Sequence, residues 1–313
     1  MEFKLKFNSA DSNLNLTHQD SIVTLGSCFS EEMAAKLQSS GFRVENNPFG
    51  TLFHPESIAS VIQSSINQST IVQLSQREDL FFAWDCSSKV YAKSQYELED
   101  KVIQQRIQLK KSLSEAKLLI ITFGTAWKYT HRDLQLTVGN CHKTDSSLFL
   151  KSIASISDMQ QVWTDLLAEL ERVFPQLEVL FTVSPVRHVK DGLIENNRSK
   201  ARLLELVHSL VDKKQSHYFP AYEILIDELR DYRFYANDLV HPNQLAISYI
   251  WKIFQSSCIN NEAQEVVQEI VRLKSMLSHK SLHPDSNSDQ KRIEKATAAI
   301  AKFKKLHPGI SWT

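Results

Sequence analysis

The feature that most constrains this chain is its alternation of strand-length apolar runs with stretches of helical periodicity. Residues 22–25 form a short apolar run ending at Gly26, residues 118–123 one ending at Gly124, and residues 179–183 one ending at Ser184-Pro185; Tyr218-Phe219 is a weaker fourth. Between them apolar side chains repeat at helical spacing. They do so at Trp163, Leu166, Leu167, Leu170, Val173 and Phe174, at Leu203, Leu204, Val207, Leu210 and Val211, and at Ile247, Ile250 and Phe254. Strands separated by such helices predict an α/β fold, a mostly parallel sheet with helices on both faces. In that architecture ligands sit outside the carboxyl ends of the strands. The residues just after each strand are therefore the ones to inspect.

The rest of the chain bounds the function classes. Lys+Arg and Asp+Glu both total 36, a formal net charge of zero, whereas a nucleic-acid binder gathers cations into a stripe. Arg106, Lys110 and Lys111 are the nearest approach, and they read as a solvated helix face, so no nucleic-acid partner is expected. Residues 1–7 alternate Phe3, Leu5 and Phe7 with Lys4 and Lys6, which predicts a strand rather than a signal peptide. No run approaches the ~18 apolar residues that span a bilayer, so no membrane partner is expected. Cys28, Cys86, Cys141 and Cys258 are widely spread with no CxxC pair, which fits a reducing, cytoplasmic setting. Residues 1–257 are read as one domain and 258–313 as a helical appendage. The appendage comprises a helix through Val266, Ile270, Leu273 and Leu277, a polar loop over 283–288, and a second helix through Ala299, Ile300 and Phe303.

Three strand ends carry chemistry. After the first strand come Gly26, Ser27 and Cys28, followed by helix-favouring residues, so a nucleophile here would sit at a strand-to-helix turn near a helix N-terminus. The bland alternative is a turn with a serine cap and a buried cysteine. Near the far end, Pro242 suits the first turn of the helix carrying Ile247 and biases His241 away from helical dihedrals. Asp238, three residues upstream, can reach back to the imidazole, set its tautomer and leave the other nitrogen as a base. After the second clear strand, Gly124 and the Thr125 hydroxyl are candidate donors to an oxyanion, and the turn at Gly50 offers a further N–H. Arg187, after the third strand, could clamp a carboxylate or phosphate, or serve a structural ion pair. A metal site from Cys141, His142, His188 and His241 matches no zinc spacing, and no metal or cofactor is expected.

Together these strings resemble the GSCFA family of the SGNH/GDSL-hydrolase superfamily. They are Gly26-Ser27-Cys28-Phe29-Ser30, Asn47-Pro48-Phe49-Gly50-Thr51, Gly124-Thr125-Ala126-Trp127, Asn140-Cys141-His142-Lys143, Ser184-Pro185-Val186-Arg187-His188 and Asp238-Leu239-Val240-His241-Pro242. Ser30 departs from the family's alanine. The resemblance covers about residues 20–255 and implies a three-layer α/β/α sandwich with a hydrolase-type site. By analogy with the superfamily it implies an esterase or related acyl hydrolase acting through an acyl-enzyme on a small-molecule or glycan ester. Aligned on Gly26, the superfamily's Gly-Asp-Ser turn becomes Gly-Ser-Cys, with Cys28 at the nucleophile position and Ser27 at the aspartate. Its Gly-x-Asn-Asp string becomes Gly124-Thr125-Ala126-Trp127, which lacks the amide donor. An oxyanion donor typically supplies ~3 kcal/mol, so backbone N–H groups, Asn140 or His142 would have to compensate. Chemistry also favours Cys28 over Ser27, because a thiol is already partly ionised at neutral pH. The same site could serve an acyltransferase, and a silent binding module remains the reading from a different class.

Overall fold

The structure, a computed structural model, describes residues 14–211, 216–278 and 287–310. The expected strand over residues 1–7, and residues 283–286 of the polar loop, lie outside the described residues. Asn287 and Ser288, which the sequence reading gave to that loop, already belong to the last helix.

The chain begins with β1 (Ser21–Gly26), α1 (Cys28–Ser39), β2 (Arg43–Asn46) and α2 (Pro55–Ile66). A hairpin region follows, made of β3 (Leu74–Arg77), β4 (Leu80–Ala83) and β5 (Tyr91–Ala92), then α3 (Gln95–Glu115) and β6 (Leu118–Phe123). A second antiparallel insertion contains β7 (Trp127–His131), β8 (Leu136–Thr137) and β9 (Phe149–Ile153). Next come α4 (Ile156–Val173), β10 (Glu178–Val183), α5 (Leu193–Val211) and β11 (Ser216–Tyr218). The short α6 (Ala221–Glu223) runs into a π-helical turn, Ile224–Leu229, before α7 (Gln244–Cys258), α8 (Asn261–Ser278) and α9 (Asn287–Leu306).

Five strands form one sheet in the order β11-β10-β6-β1-β2, with every pair parallel. The expected three-layer α/β/α sandwich is what the chain forms. Its layers follow from the two-residue period of a strand. Val23, Leu25, Leu119, Ile121, Val179 and Phe181 face one core, shared with α2, α3, α4 and α5. Ile22, Leu118, Ile120 and Leu180 face the other, shared with α1, α7 and α8. Strands buried on both faces must be continuously apolar, and that is why these runs were legible.

The chain leaves β1 towards β2 on one side and later returns to β6 on the other. The order reverses there, so a crevice opens outside the carboxyl ends of β1 and β6.

Two features were not legible in the sequence. Six of residues 128–143 belong to β7 and β8, paired antiparallel beside β9. Their alternation is masked because both faces are only half-buried. Arg106 was read as part of a solvated face; it is 3% exposed. Its guanidinium pairs with Asp85 at 2.7 Å and donates to the carbonyls of Ser69 and Ile71. The β3–β5 insertion folds over α3 and converts that face into an interface.

Past residue 258 the chain remains in contact with the rest. Leu16 donates its N–H to the Cys258 carbonyl at 2.8 Å, Ala263 and Val267 enter the α1/α7 core, and Phe303 of α9 packs on Ile270 and Leu273 of α8. Among the described residues no helix is long and apolar enough to cross a membrane.

Candidate active site

At the end of β1, Gly26 adopts φ +144°, and its N–H is held by the Asn47 side-chain oxygen at 2.8 Å. Helix α1 then starts at once. Ser27 is its N-cap, accepting from the Phe29 N–H at 3.3 Å, and is 1% exposed. A hydroxyl committed to an N-cap is held in one rotamer and satisfies an otherwise open donor. Cys28 occupies the first helical turn as a half-buried free thiol. Both line a cavity of about 50 Å³ together with Phe53, Gly124, Thr125, Ser184, Val186, Arg187 and His188. Burial pushes the Cys28 thiol pKa up and Glu31 adds to the rise, while its own backbone N–H favours the thiolate. The resting species is the neutral thiol, contrary to what a helix N-terminus alone suggested.

The other strand ends form the remaining walls. Gly124 and Thr125 both donate their N–H groups to the Phe53 carbonyl, at 2.8 and 3.1 Å. A Cβ on Gly124 would lie 3.0 Å from the Phe53 ring, so glycine lets that ring close the cavity. The Thr125 hydroxyl pairs with Ser199 Oγ at 3.1 Å and accepts from the Trp127 N–H. Arg187 lies over the rings of Tyr235 and Tyr232, at 4.3 and 4.9 Å. Its N–H donates to the Val240 carbonyl at 3.1 Å, which ties the β10 loop to the segment carrying His241.

On that segment Asp238 works as a local organiser. One carboxylate oxygen accepts from the N–H groups of Val240 and His241, and the other sits 2.7 Å from His241 Nδ1. The two backbone N–H groups and the imidazole hold the Asp238 carboxyl down to about 2. The bond assigns the Nδ1–H tautomer to His241 and leaves Nε2 as an acceptor. The two side chains are 47% and 49% exposed, so the pair opens to solvent.

Several expected donors are already engaged. The Gly50 N–H closes a turn onto the Asn47 carbonyl at 2.7 Å, and a Cβ there would strike Ser87. Gly50 belongs to a packed turn and does not line the cavity. Asn140 and His142 were expected near an oxyanion; they sit instead where the two antiparallel insertions meet. Asn140 Oδ1 accepts from the His142 N–H. The His142 ring stacks on Phe82, with Nε2 2.8 Å from the Ala83 carbonyl and Nδ1 3.0 Å from Ser88 Oγ. Both ring nitrogens are occupied by structure. Strand β7 carries this segment away from the sheet end, which no local pattern revealed.

The sequence reading missed three braces on α5. Asn196, Ser199 and Lys200 all lie on its buried face. Asn196 accepts from the His188 N–H at 2.8 Å, Ser199 accepts from the Ala126 N–H at 2.7 Å, and Lys200 Nζ donates to the carbonyls of Gly124 and Ser184 at 2.8 and 2.7 Å. The signal was available: Lys200 stands three residues before Leu203 and seven before Val207, on an apolar helix face. A lysine there must find partners or lose its charge.

Lys200 is 1% exposed, and burial lowers its pKa from 10.5 to about 7. The unfolded amine therefore holds a proton that the folded one has released between about pH 7 and 10. Stability should rise with pH through that window, by up to about 1.4 kcal/mol per pH unit. Urea unfolding at pH 7.5 and pH 9 should show wild type gaining on Lys200→Met. Parallel pH responses would mean that the amine stays charged when folded.

No curated relative matches the chain. Among solved structures, a protein designated a GDSL-like lipase from Parabacteroides merdae aligns at 12% identity and a TM-score of 0.40, over 78% of this chain and 98% of its own. A carbohydrate esterase family 3 protein from Talaromyces cellulolyticus aligns at 8% identity and a TM-score of 0.36, over 81% of this chain and 99% of its own. Those scores are too low to transfer chemistry. The GSCFA family profile, in contrast, matches residues 21–254, a span that holds all six of the strings described above. The protein belongs to the GSCFA family.

Proposed function

We propose that the protein is an acyl-ester hydrolase that works through a thioester on Cys28. The observation that carries this reading is the link between the Cys28 cavity and the segment that holds His241. Gln244 Nε2 donates to Glu32 at 3.2 Å, and Lys36 Nζ donates to Ser248 Oγ at 3.3 Å, both pairs 212 positions apart. Helix α7 therefore runs beside α1, and Val240 and His241 lie on the non-helical segment that leads into it. Arg187, which lines the cavity with Cys28, donates its backbone N–H to the carbonyl of Val240, the residue before His241.

The chemistry follows from the protonation states. A thiol kept neutral by burial has to lose its proton during attack, so a base is required. His241 Nε2 takes that proton as Sγ bonds to the acyl carbon. Asp238 stabilises the imidazolium, which then returns the proton to the departing alcohol as the C–O bond breaks. Water, deprotonated by the same imidazole, attacks the acyl carbon; the C–S bond breaks, the thiolate takes the proton back from the imidazolium, and the carboxylic acid leaves. The Cys28 N–H, in the first turn of α1, is the oxyanion donor in this scheme. A cavity of about 50 Å³ suits a short acyl chain. The half-exposed His241 gives water ready access, which favours hydrolysis over transfer to a second acceptor.

One observation favours a silent binding module instead: the N–H groups of Gly50, Gly124 and Thr125 are all engaged, which leaves the oxyanion poorly provided for. Turnover of 4-nitrophenyl acetate and butyrate separates the two. Wild type should hydrolyse at least one of them, and His241→Ala should lower kcat/KM by 10²–10⁴-fold, the range for a general base. A wild-type rate no higher than buffer for every short-chain ester tried would leave the silent module standing.

A further inference from the structure

Arg187 is the one permanently charged side chain among the residues that line the cavity, and no carboxylate lines it. On the Cys28 side, Glu31 and Glu32 both act on the thiol, with Lys89 paired to Glu31 at 2.7 Å. On the β10 side, Arg187 and His188 line the cavity; burial, with Lys151 and Lys190 nearby, holds the His188 pKa below its ordinary value, so the charge there is that of Arg187. Asp191 is the acid on that side, shared between Lys151 and His188. It neutralises one cation of the group.

Arg187 is left over. Among the described residues no carboxylate lies within ion-pairing distance of its guanidinium, which rests instead on the faces of Tyr232 and Tyr235. A guanidinium confined against two rings has less rotamer freedom for binding to remove, and its charge is left for an oxyanion to neutralise. The Cys28 thiol opens onto the same small cavity.

We infer that the β10 wall is an anion subsite, and that the substrate is an acyl ester bearing a carboxylate or phosphate group that Arg187 binds beside the reacting carbonyl. This rests on the thioester reading only in placing the anion next to Cys28. The anionic group has two possible sources: the acyl part, as in the half-ester of a dicarboxylic acid, or the alcohol part, as in an acidic or phosphorylated sugar.

The test compares matched pairs. For the acyl source, 4-nitrophenyl hemisuccinate is set against 4-nitrophenyl butyrate; for the alcohol source, acetylated glucose 6-phosphate against acetylated glucose. At least one pair should show a kcat/KM preference of about 10-fold or more for the anion, equivalent to ~1.4 kcal/mol. The preference should collapse in Arg187→Met and survive in part in Arg187→Lys. A measurement independent of turnover uses alkylation of Cys28, with Cys28→Ala as the blank. Iodoacetate should outpace iodoacetamide in wild type, and the order should reverse in Arg187→Met. Should that variant not fold, the wild-type ratios and Arg187→Lys still decide.

Neutral esters turned over as well as anionic ones, with no iodoacetate advantage, would overturn the inference and leave the hydrolase intact. An iodoacetate advantage in a protein that hydrolyses no ester would support the subsite and remove the hydrolase. An anion preference that survives Arg187→Met would take Arg187 out of the role.

Discussion

Replacing Cys28 by alanine should reduce ester turnover on the order of 10⁴-fold. Without the thiol the remaining groups can only orient water, and removing one member of a nucleophile–base pair costs nearly as much as removing both. The fall should appear in kcat, with little change in KM, because Sγ bonds to the acyl carbon only as the reaction proceeds. Far-ultraviolet circular dichroism should match wild type, since a half-buried thiol at a helix start contributes little packing. Ser27 supplies the contrast. Its hydroxyl caps α1 from a buried position, so Ser27→Ala should lose about 1 kcal/mol of stability and far less rate. Should the two variants exchange phenotypes, the nucleophile is Ser27 and the capping geometry rearranges on binding substrate.

The largest effect on folding is expected at Gly26→Ala. The glycine sits at φ +144°, where an L side chain is strained whatever space surrounds it. Here there is no space: a Cβ would lie 2.3 Å from the Thr122 carbonyl oxygen and 2.9 Å from the Thr122 Cβ. Thr122 cannot retreat, because Gly26 and Thr122 are register partners across β1 and β6, and the same carbonyl accepts the Ser27 N–H at 3.2 Å. Relief would require parting the central strands or unwinding the start of α1. A loss above about 3 kcal/mol is expected, among the largest single-residue effects, and insoluble expression is the plain form it would take. Urea unfolding of any soluble fraction measures it. A midpoint within about 1 kcal/mol of wild type would show that the turn relaxes, and would weaken the case that it holds Cys28 in place.

What could be read from the sequence, and what could not, follows from the range of the forces involved. Strands β1, β6 and β10 were legible because burial on both faces makes them continuously apolar. The edge strand β2 was missed: Arg43, Val44, Glu45 and Asn46 carry no such signature, since one side of the strand has no neighbour. The Asp238–His241 pair was legible because its geometry is local, an aspartate folding back over three residues ahead of a proline. Asn140 and His142 misled for the opposite reason. A polar string after a glycine looks the same whether the next strand carries it to the site or away from it.

By itself, the amino-acid sequence determined the layer order, the glycine turn before Cys28, the aspartate-held imidazole and the family. These depend on burial period and on contacts a few residues long. Only the tertiary structure decided that Lys200 and Ser199 brace the strand ends, that Arg187 lies on two tyrosines without an acid, and that the N–H groups of Gly50, Gly124 and Thr125 are already engaged. Apart from the three-residue turn at Gly50, those contacts join residues that lie 16 or more positions apart in the chain. Hydrogen bonding and charge act through space at a few ångströms, so their partners are set by how the layers pack and not by neighbours along the chain.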